Sequence, residues 1–164
     1  MRYPSRSQPS ACIRTCPISD LPNLKTSLND ATTLRCRIER WPIAGSFTIS
    51  RGAKTEAVVV VAEISRSGRT GHGECVPYAR YGETPEGVLA CLLAMQEPLA
   101  AGLDRRSLAS IMPAGAARNA LDCALCDLEA KCSGQRIWTL LDRPAPVPRS
   151  TAYTISLGSP EVMA

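Results

Sequence analysis

The sequence predicts an α+β fold, a three-stranded antiparallel meander followed by a small helical bundle, and three observations carry that prediction. The first is the β-branched run Val58-Val-Val-Val61 inside a strand-like segment from Thr55 to Ser65. The second is Ser67-Gly68 directly after it, a turn signal from which Arg69 to Val76 returns as the next strand. The third is the run from Pro113 to Lys131, in which Ala116, Ala117, Ala120, Leu121, Ala124, Leu125 and Leu128 recur at helical spacing. Such a stripe of small and branched side chains packs closely against a neighbour, and Gly134 supplies the helix stop.

The other elements follow in order. Residues 1–33 form a leader rich in Ser, Pro and Arg, with no acid before Asp20 and prolines at 4, 9, 17 and 22 that oppose a helix; it is expected to stay unfolded. Leu34 to Ile43 alternates as a first strand, and Ala44 to Lys54 reads as an exposed loop. A second loop, Pro77 to Glu83, carries two tyrosines and an arginine. Thr84 then caps a helix with Pro85 in its first turn, expected to run to about Ala101. Asp104 caps a short helix reaching Met112, Pro113 ends it, and the long Ala-rich helix follows. Arg136 to Leu141 adds a turn or two. Residues 143–149 are a stiff Pro-rich linker, Thr151 to Leu157 alternates like a strand, and Ser159-Pro-Glu161 opens another helix. The folded unit is thus expected over residues 34–142, with residues 150–164 starting a further one.

Composition narrows the function classes. A chain of 164 residues holds one ordinary domain with a real core. The net charge of +4 resides in the leader, since residues 1–40 hold seven Lys/Arg against three Asp/Glu and the rest is balanced. With no cluster of basic residues interleaved with aromatics, nucleic acid is not an expected partner. No apolar run approaches membrane-spanning length, so no membrane role and a cytoplasmic location are expected. The eight cysteines sit mostly inside apolar patterns and read as buried reduced thiols. Cys123 and Cys126 make a C-x-x-C, but mid-helix and without a second ligand pair, which disfavours zinc. His72, with no nucleophile beside it in the sequence, reads as a structural sheet residue.

Two segments carry a family signature: Gly71-His-Gly-Glu-Cys-Val-Pro-Tyr-Ala-Arg-Tyr-Gly-Glu83 and the helix Pro113 to Lys131. From about Leu34 to Ala164 the chain resembles the N-terminal capping domain of dipeptide epimerases of the L-Ala-D/L-Glu type, in the muconate-lactonising branch of the enolase superfamily. The resemblance implies an isomerase whose chemistry is carried by a following (β/α) barrel. There, magnesium on three strand-end carboxylates stabilises the enediolate, and two lysines move the proton on either side of the substrate. None of those groups is assignable to this chain, which ends within the first barrel unit, so no catalytic and no metal residue is expected. Asp122 and Asp127 fall on the signature helix, where pairing or capping is expected rather than metal ligation.

By the same resemblance, two loops fold over the barrel mouth and match Ala44 to Lys54 and Val76 to Glu83. Arg51 is similar to an arginine that pairs with the acidic side chain of an Ala-Glu substrate, chemistry for which a guanidinium fork is suited. Tyr78, Arg80 and Tyr81 are further substrate-lid candidates, Thr154 resembles a substrate-contacting threonine, and Glu74 is expected to fix the lid. The expected function is a substrate-capping fragment, inactive alone and engaging a dipeptide only with a barrel present. The alternative is a non-catalytic module that self-associates or binds a separately encoded barrel or intact homologue.

Overall fold

Three strands form one antiparallel sheet in the order β1-β2-β3, with β1 at Thr33–Ile49, β2 at Gly52–Arg66 and β3 at Arg69–Cys75. The computed structural model describes residues 31–50 and 52–163, so the expectations for the leader before residue 31 lie outside the described residues. The period-2 pattern sets the register. One face carries the rungs Leu34–Ile64–Gly71, Cys36–Ala62–Gly73 and Ile38–Val60–Cys75. The opposite face carries Arg35–Glu63–His72 and Arg37–Val61–Glu74. On that second face Arg37 bridges Glu39 at 2.5 Å and Glu63 at 2.8 Å, and Glu63 also lies 3.5 Å from Nδ1 of His72. His72 is thus a sheet-surface residue, as expected. The β2-β3 hairpin turns at Ser67 and Gly68, both at positive φ (51° and 71°), the turn hand that matches strand twist.

The segment from Ala44 to Lys54 departs from the loop expectation. Pairing resumes beyond a register shift between Pro42 and Phe47, with Phe47 opposite Lys54, Thr48 opposite Ala53 and Ile49 opposite Gly52. Pro42 has no N–H to give, and Gly45 adopts a left-handed φ of 76°, so the ladder breaks there and then closes into a projecting hairpin.

The helices pack on the first face. Thr84 caps α1 (Pro85–Leu93) by accepting from the Gly87 N–H at 3.1 Å. The single helix expected to about Ala101 is divided, with α2 at Gln96–Ala100. Pro98 lacks the N–H that would bond the Ala94 carbonyl, and Met95 between the segments has ψ 0°. Asp104 caps α3 (Arg105–Ile111) through the Ser107 N–H at 2.8 Å; its hydrogen bonds with Ser107 hold its carboxyl below the usual range. The long helix α4 spans Ala116–Ser133 and stops at Gly134, φ 69°. Two short helices, α5 (Ile137–Leu140) and α6 (Pro160–Met163), flank an exposed Pro-rich segment. Residues 151–157 form no strand of the sheet: they are mostly exposed and meet the end of β1 only through Ser156 and Leu157.

The core is the layer between sheet and helices, built from Leu34, Val60, Ala62 and Ile64 against Leu92, Leu99, Leu108, Leu121, Ala124 and Leu128. The Gly-x-Gly of β3 decides how close α4 comes. A Cβ at Gly73 would lie 1.9 Å from the Ala120 carbonyl oxygen, and one at Gly71 would lie 2.2 Å from that of Ala124, so helix and strand backbones are in direct contact.

Side chains on one stripe of α4 then cover the outer edge of β3. Asp127 accepts from the His72 N–H at 2.8 Å, Lys131 donates to the Thr70 carbonyl at 2.7 Å, and Asn119 donates to the Glu74 carbonyl at 3.4 Å. A row of edge groups that would otherwise invite another strand is thereby occupied.

Five described cysteines are free: Cys75 and Cys126 buried, Cys36 half-buried, Cys123 and Cys132 exposed. Burial pushes the Cys75 thiol up to about 11, reinforced by the Glu83 charge, and burial likewise lifts Cys36 to about 11. Because the thiolate is the nucleophile, iodoacetamide at pH 8 is expected to modify exposed Cys132 well before Cys36 or Cys75. Peptide mapping of the alkylated protein checks this; early labelling of Cys75 would mean the sheet-helix layer opens readily.

Candidate functional site

Of the residues singled out from the sequence, Tyr78, Arg80 and Tyr81 fall on one projection from the sheet, and the segment of Thr154 lies against another. The second loop leaves β3 at Cys75 and tightens into a single 3-10 turn at Ala79–Tyr81, ended by Gly82 in the left-handed region at φ 75°. A chain reversal this short needs a residue without a Cβ penalty at that point. The turn places Tyr78 and Tyr81 side by side, ring centroids 5.8 Å apart, with Arg80 between them in sequence. All three are exposed, Tyr81 at 75%. They form an amphipathic surface of two rings and a guanidinium, able to stack on a flat group and pair with a carboxylate.

The loop is tied at its base by Glu83. Its Oε2 accepts from the Tyr78 N–H at 3.0 Å, and its Oε1 accepts from the Ala116 N–H at 2.7 Å, the first residue of α4. Glu74, expected by resemblance to fix the lid, is exposed on the sheet, and its carbonyl accepts from Asn119. Glu83 was the residue missed. Its signal was indirect: α4 starts after Gly115, which has no side chain to cap the helix, so an acceptor must come from elsewhere.

The first projection is the β1-β2 hairpin tip. Arg51 lies outside the described residues, so its expected role is neither placed nor displaced. Against this tip lies the segment that carries Thr154. The Leu157 N–H donates to the Thr48 carbonyl at 2.8 Å, the Thr48 N–H donates to Ser156 Oγ at 2.9 Å, and Ser156 Oγ donates to the Ser46 carbonyl at 3.1 Å. Thr154 itself is exposed two residues from this contact. The structure therefore brings the Thr154 segment to the first projection and groups Tyr78, Arg80 and Tyr81 on the second.

Among the described residues no group of three or more His, Cys, Asp or Glu side chains converges as a metal site. Asp127 is occupied by Lys131 at 2.7 Å and by the His72 amide, in line with a pairing role. Asp122 lies 4.0 Å from Arg105, and no described helix is long and apolar enough to cross a membrane.

Known proteins share this arrangement. The chain is 45% identical over 132 residues to the L-Ala-D/L-Glu epimerase of Escherichia coli K12, covering 80% of this chain and 41% of the relative. An enolase family member from Agrobacterium tumefaciens with homology to dipeptide epimerases, solved with sodium and L-Ala-L-Glu, superposes with TM-score 0.74 at 55% identity. That match covers 80% of this chain and 40% of the other. The dipeptide epimerase of Methylococcus capsulatus, solved with Mg and L-Arg-D-Lys, gives TM-score 0.59 at 31% identity, covering 68% of this chain and 34% of that one. The chain thus spans about two fifths of the length of such relatives. Residues 31–142 match the mandelate racemase / muconate lactonizing enzyme N-terminal domain, and with its three-stranded sheet, its helices and its dipeptide-epimerase relatives the chain belongs to that family.

Proposed function

We propose that these residues form the substrate-covering part of a dipeptide epimerase acting on Ala-Glu-type dipeptides. The observation that carries the reading is the pairing of 45% identity to an L-Ala-D/L-Glu epimerase with two projections that present Tyr78, Arg80, Tyr81 and the Thr154 segment on an otherwise ordinary domain. By the family resemblance Arg51 would meet the acidic side chain of the dipeptide, and the tyrosine pair would cover it from the second projection.

Epimerising an α-carbon beside a carboxylate needs proton transfer on both faces and stabilisation of the enediolate. Among the described residues no three His, Cys, Asp or Glu side chains converge. By the family resemblance the metal and the proton-moving lysines belong to a following barrel, and the share of the work proposed here is to enclose the dipeptide and exclude water. On that reading these 164 residues by themselves are expected to exchange no substrate α-proton.

A chimera tests the reading. Residues 31–142 replace the matching stretch of the Escherichia coli epimerase, and deuterium wash-in at the α-carbon of L-Ala-L-Glu is followed in heavy water. The expected result is exchange by the chimera, lost by more than about tenfold on Arg51→Ala through removal of a charge-assisted contact, and none by the 164-residue chain alone. A folded chimera inert toward every Ala-Glu dipeptide would overturn the substrate assignment.

The exposed apolar segment favours the second reading, a module that docks on a barrel-containing homologue or on itself. Tyr153 is 90% exposed, with Ile155 and Leu157 also open. Light scattering and a pull-down against the intact epimerase separate that reading from the first.

A further inference from the structure

We infer that Glu83 is the positioning residue of the second loop, a carboxylate staple that holds Tyr78, Arg80 and Tyr81 ready before any dipeptide arrives. The inference rests on the reading that this loop borders the substrate, and it assigns the loop's order to one side chain.

Three observations converge on Glu83. First, its two oxygens accept from two backbone amides that nothing else in the local structure would serve: Tyr78, at the start of the 3-10 turn, and Ala116, at the first turn of α4. Second, Gly115 offers no side-chain cap to α4, so the carboxylate is the helix cap, delivered from 33 residues earlier, where the helix dipole favours its charge. Third, a Cβ on Gly115 would come within 3.0 Å of Glu83 Oε1, so the absence of a side chain at 115 leaves the room the carboxylate occupies. The Gly115 backbone is extended, at φ 163°, so space and not conformation is what the glycine provides.

The consequence is a loop whose two ends are joined through one residue. Tyr78 begins the turn, Glu83 ends it, and the bond between them closes the loop on itself while the bond to Ala116 fixes the closed loop to the longest helix. No cation is paired with Glu83 among the described contacts, so its charge is spent on these two amides. A loop ordered in advance loses less freedom on covering a ligand than one that must order on contact. The tyrosine pair, tilted by 43°, is the surface so held.

The test uses the chain alone and needs no catalysis, so failure of the epimerase reading and failure of the staple give different results. Amide exchange is measured by NMR at Tyr78, Ala116 and, as a reference outside the loop, His72. Glu83→Ala is expected to raise exchange about tenfold at Tyr78 and Ala116, the scale of a lost bond to a charged acceptor, and to leave His72 unchanged. It should also abolish the ring-to-ring contact signals of Tyr78 and Tyr81. Glu83→Gln keeps the shape and one acceptor oxygen, so protection should survive at one of the two amides and fall at the other; this conservative variant decides the matter if the alanine variant fails to fold. Unchanged exchange at Tyr78 in either variant, or an equal rise at all three amides, would overturn the proposal.

Discussion

Gly73→Ala is expected to destabilise the domain by about 3 kcal/mol or more, the upper end of what overpacking costs. The methyl group would point at the backbone of α4, 1.9 Å from the Ala120 carbonyl oxygen and 2.7 Å from the Ala124 amide nitrogen. Neither is a side chain that can swing aside. The helix must instead lift from the sheet, which opens the contacts of Ala120, Leu121 and Ala124, all fully buried, and stretches the bonds from α4 to the β3 edge. Gly68→Ala is the control: that glycine sits at φ 71° with open space around it, so alanine there costs only backbone strain, on the order of 1 kcal/mol. Denaturant midpoints of the two variants, compared with the parent at equal m-value, check this. A Gly73→Ala loss no larger than that of Gly68→Ala would mean the helix-strand contact is looser than the structure shows.

The glycines also mark how far the fold could be read from residues. Elements whose pattern is local were legible: the β-branched run of β2, the Ser67-Gly68 turn, the Thr84 and Asp104 caps, and the α4 stripe with its Gly134 stop all carry their own signals. What escaped has two sources. The 44–54 stretch looks like a loop because Gly45 and the preceding Pro42 interrupt the alternation, yet Phe47–Ile49 pairs with Gly52–Lys54 within the same stretch. Residues 151–157 look like a strand because they alternate, yet they meet β1 only at Ser156 and Leu157 and form no ladder with it. Pro98 is the exception, a local signal that was passed over, since a proline in the interior of the helix expected from Pro85 to about Ala101 removes a bond to the Ala94 carbonyl.

The candidate site divides in the same way. Tyr78, Arg80 and Tyr81 were lid candidates through the family resemblance, and the structure groups them on one turn. Glu83 was not, because its function is defined by a helix that begins 33 residues later, and nothing local distinguishes it from Glu74. A sequence shows that α4 needs an acceptor at its first turn. It does not show which of several acids the fold brings there.

Asp127 gives the second large effect, and a pH dependence with a definite sign. Burial works to raise its carboxyl, but hydrogen bonds from Lys131 and the His72 amide prevail and hold it below the usual carboxylate range. An acid whose folded value is depressed contributes stability that is complete above its unfolded value, about 3.9, and is lost as pH falls through the folded one. Asp127→Ala is expected to cost about 2 kcal/mol at pH 7, because it leaves the His72 N–H without an acceptor and Lys131 without its partner. The loss should shrink steadily below about pH 4, since protonation weakens the same contacts in the parent. Asp104 and Glu63 are also held low and retain some acid slope in the variant, so the measured quantity is the difference between the two curves. The variant should in addition aggregate more readily at neutral pH, because the outer edge of β3 is then partly uncovered. Asp127→Asn separates the two contributions: its amide oxygen can still accept from His72 and keeps the edge covered, while the charge that Lys131 answers is gone. Coincident stability curves for parent and Asp127→Ala from pH 7 to 3 would show that the Asp127 contacts contribute nothing to holding α4 on the sheet, and parallel curves with a constant offset would show that their contribution does not depend on the Asp127 charge.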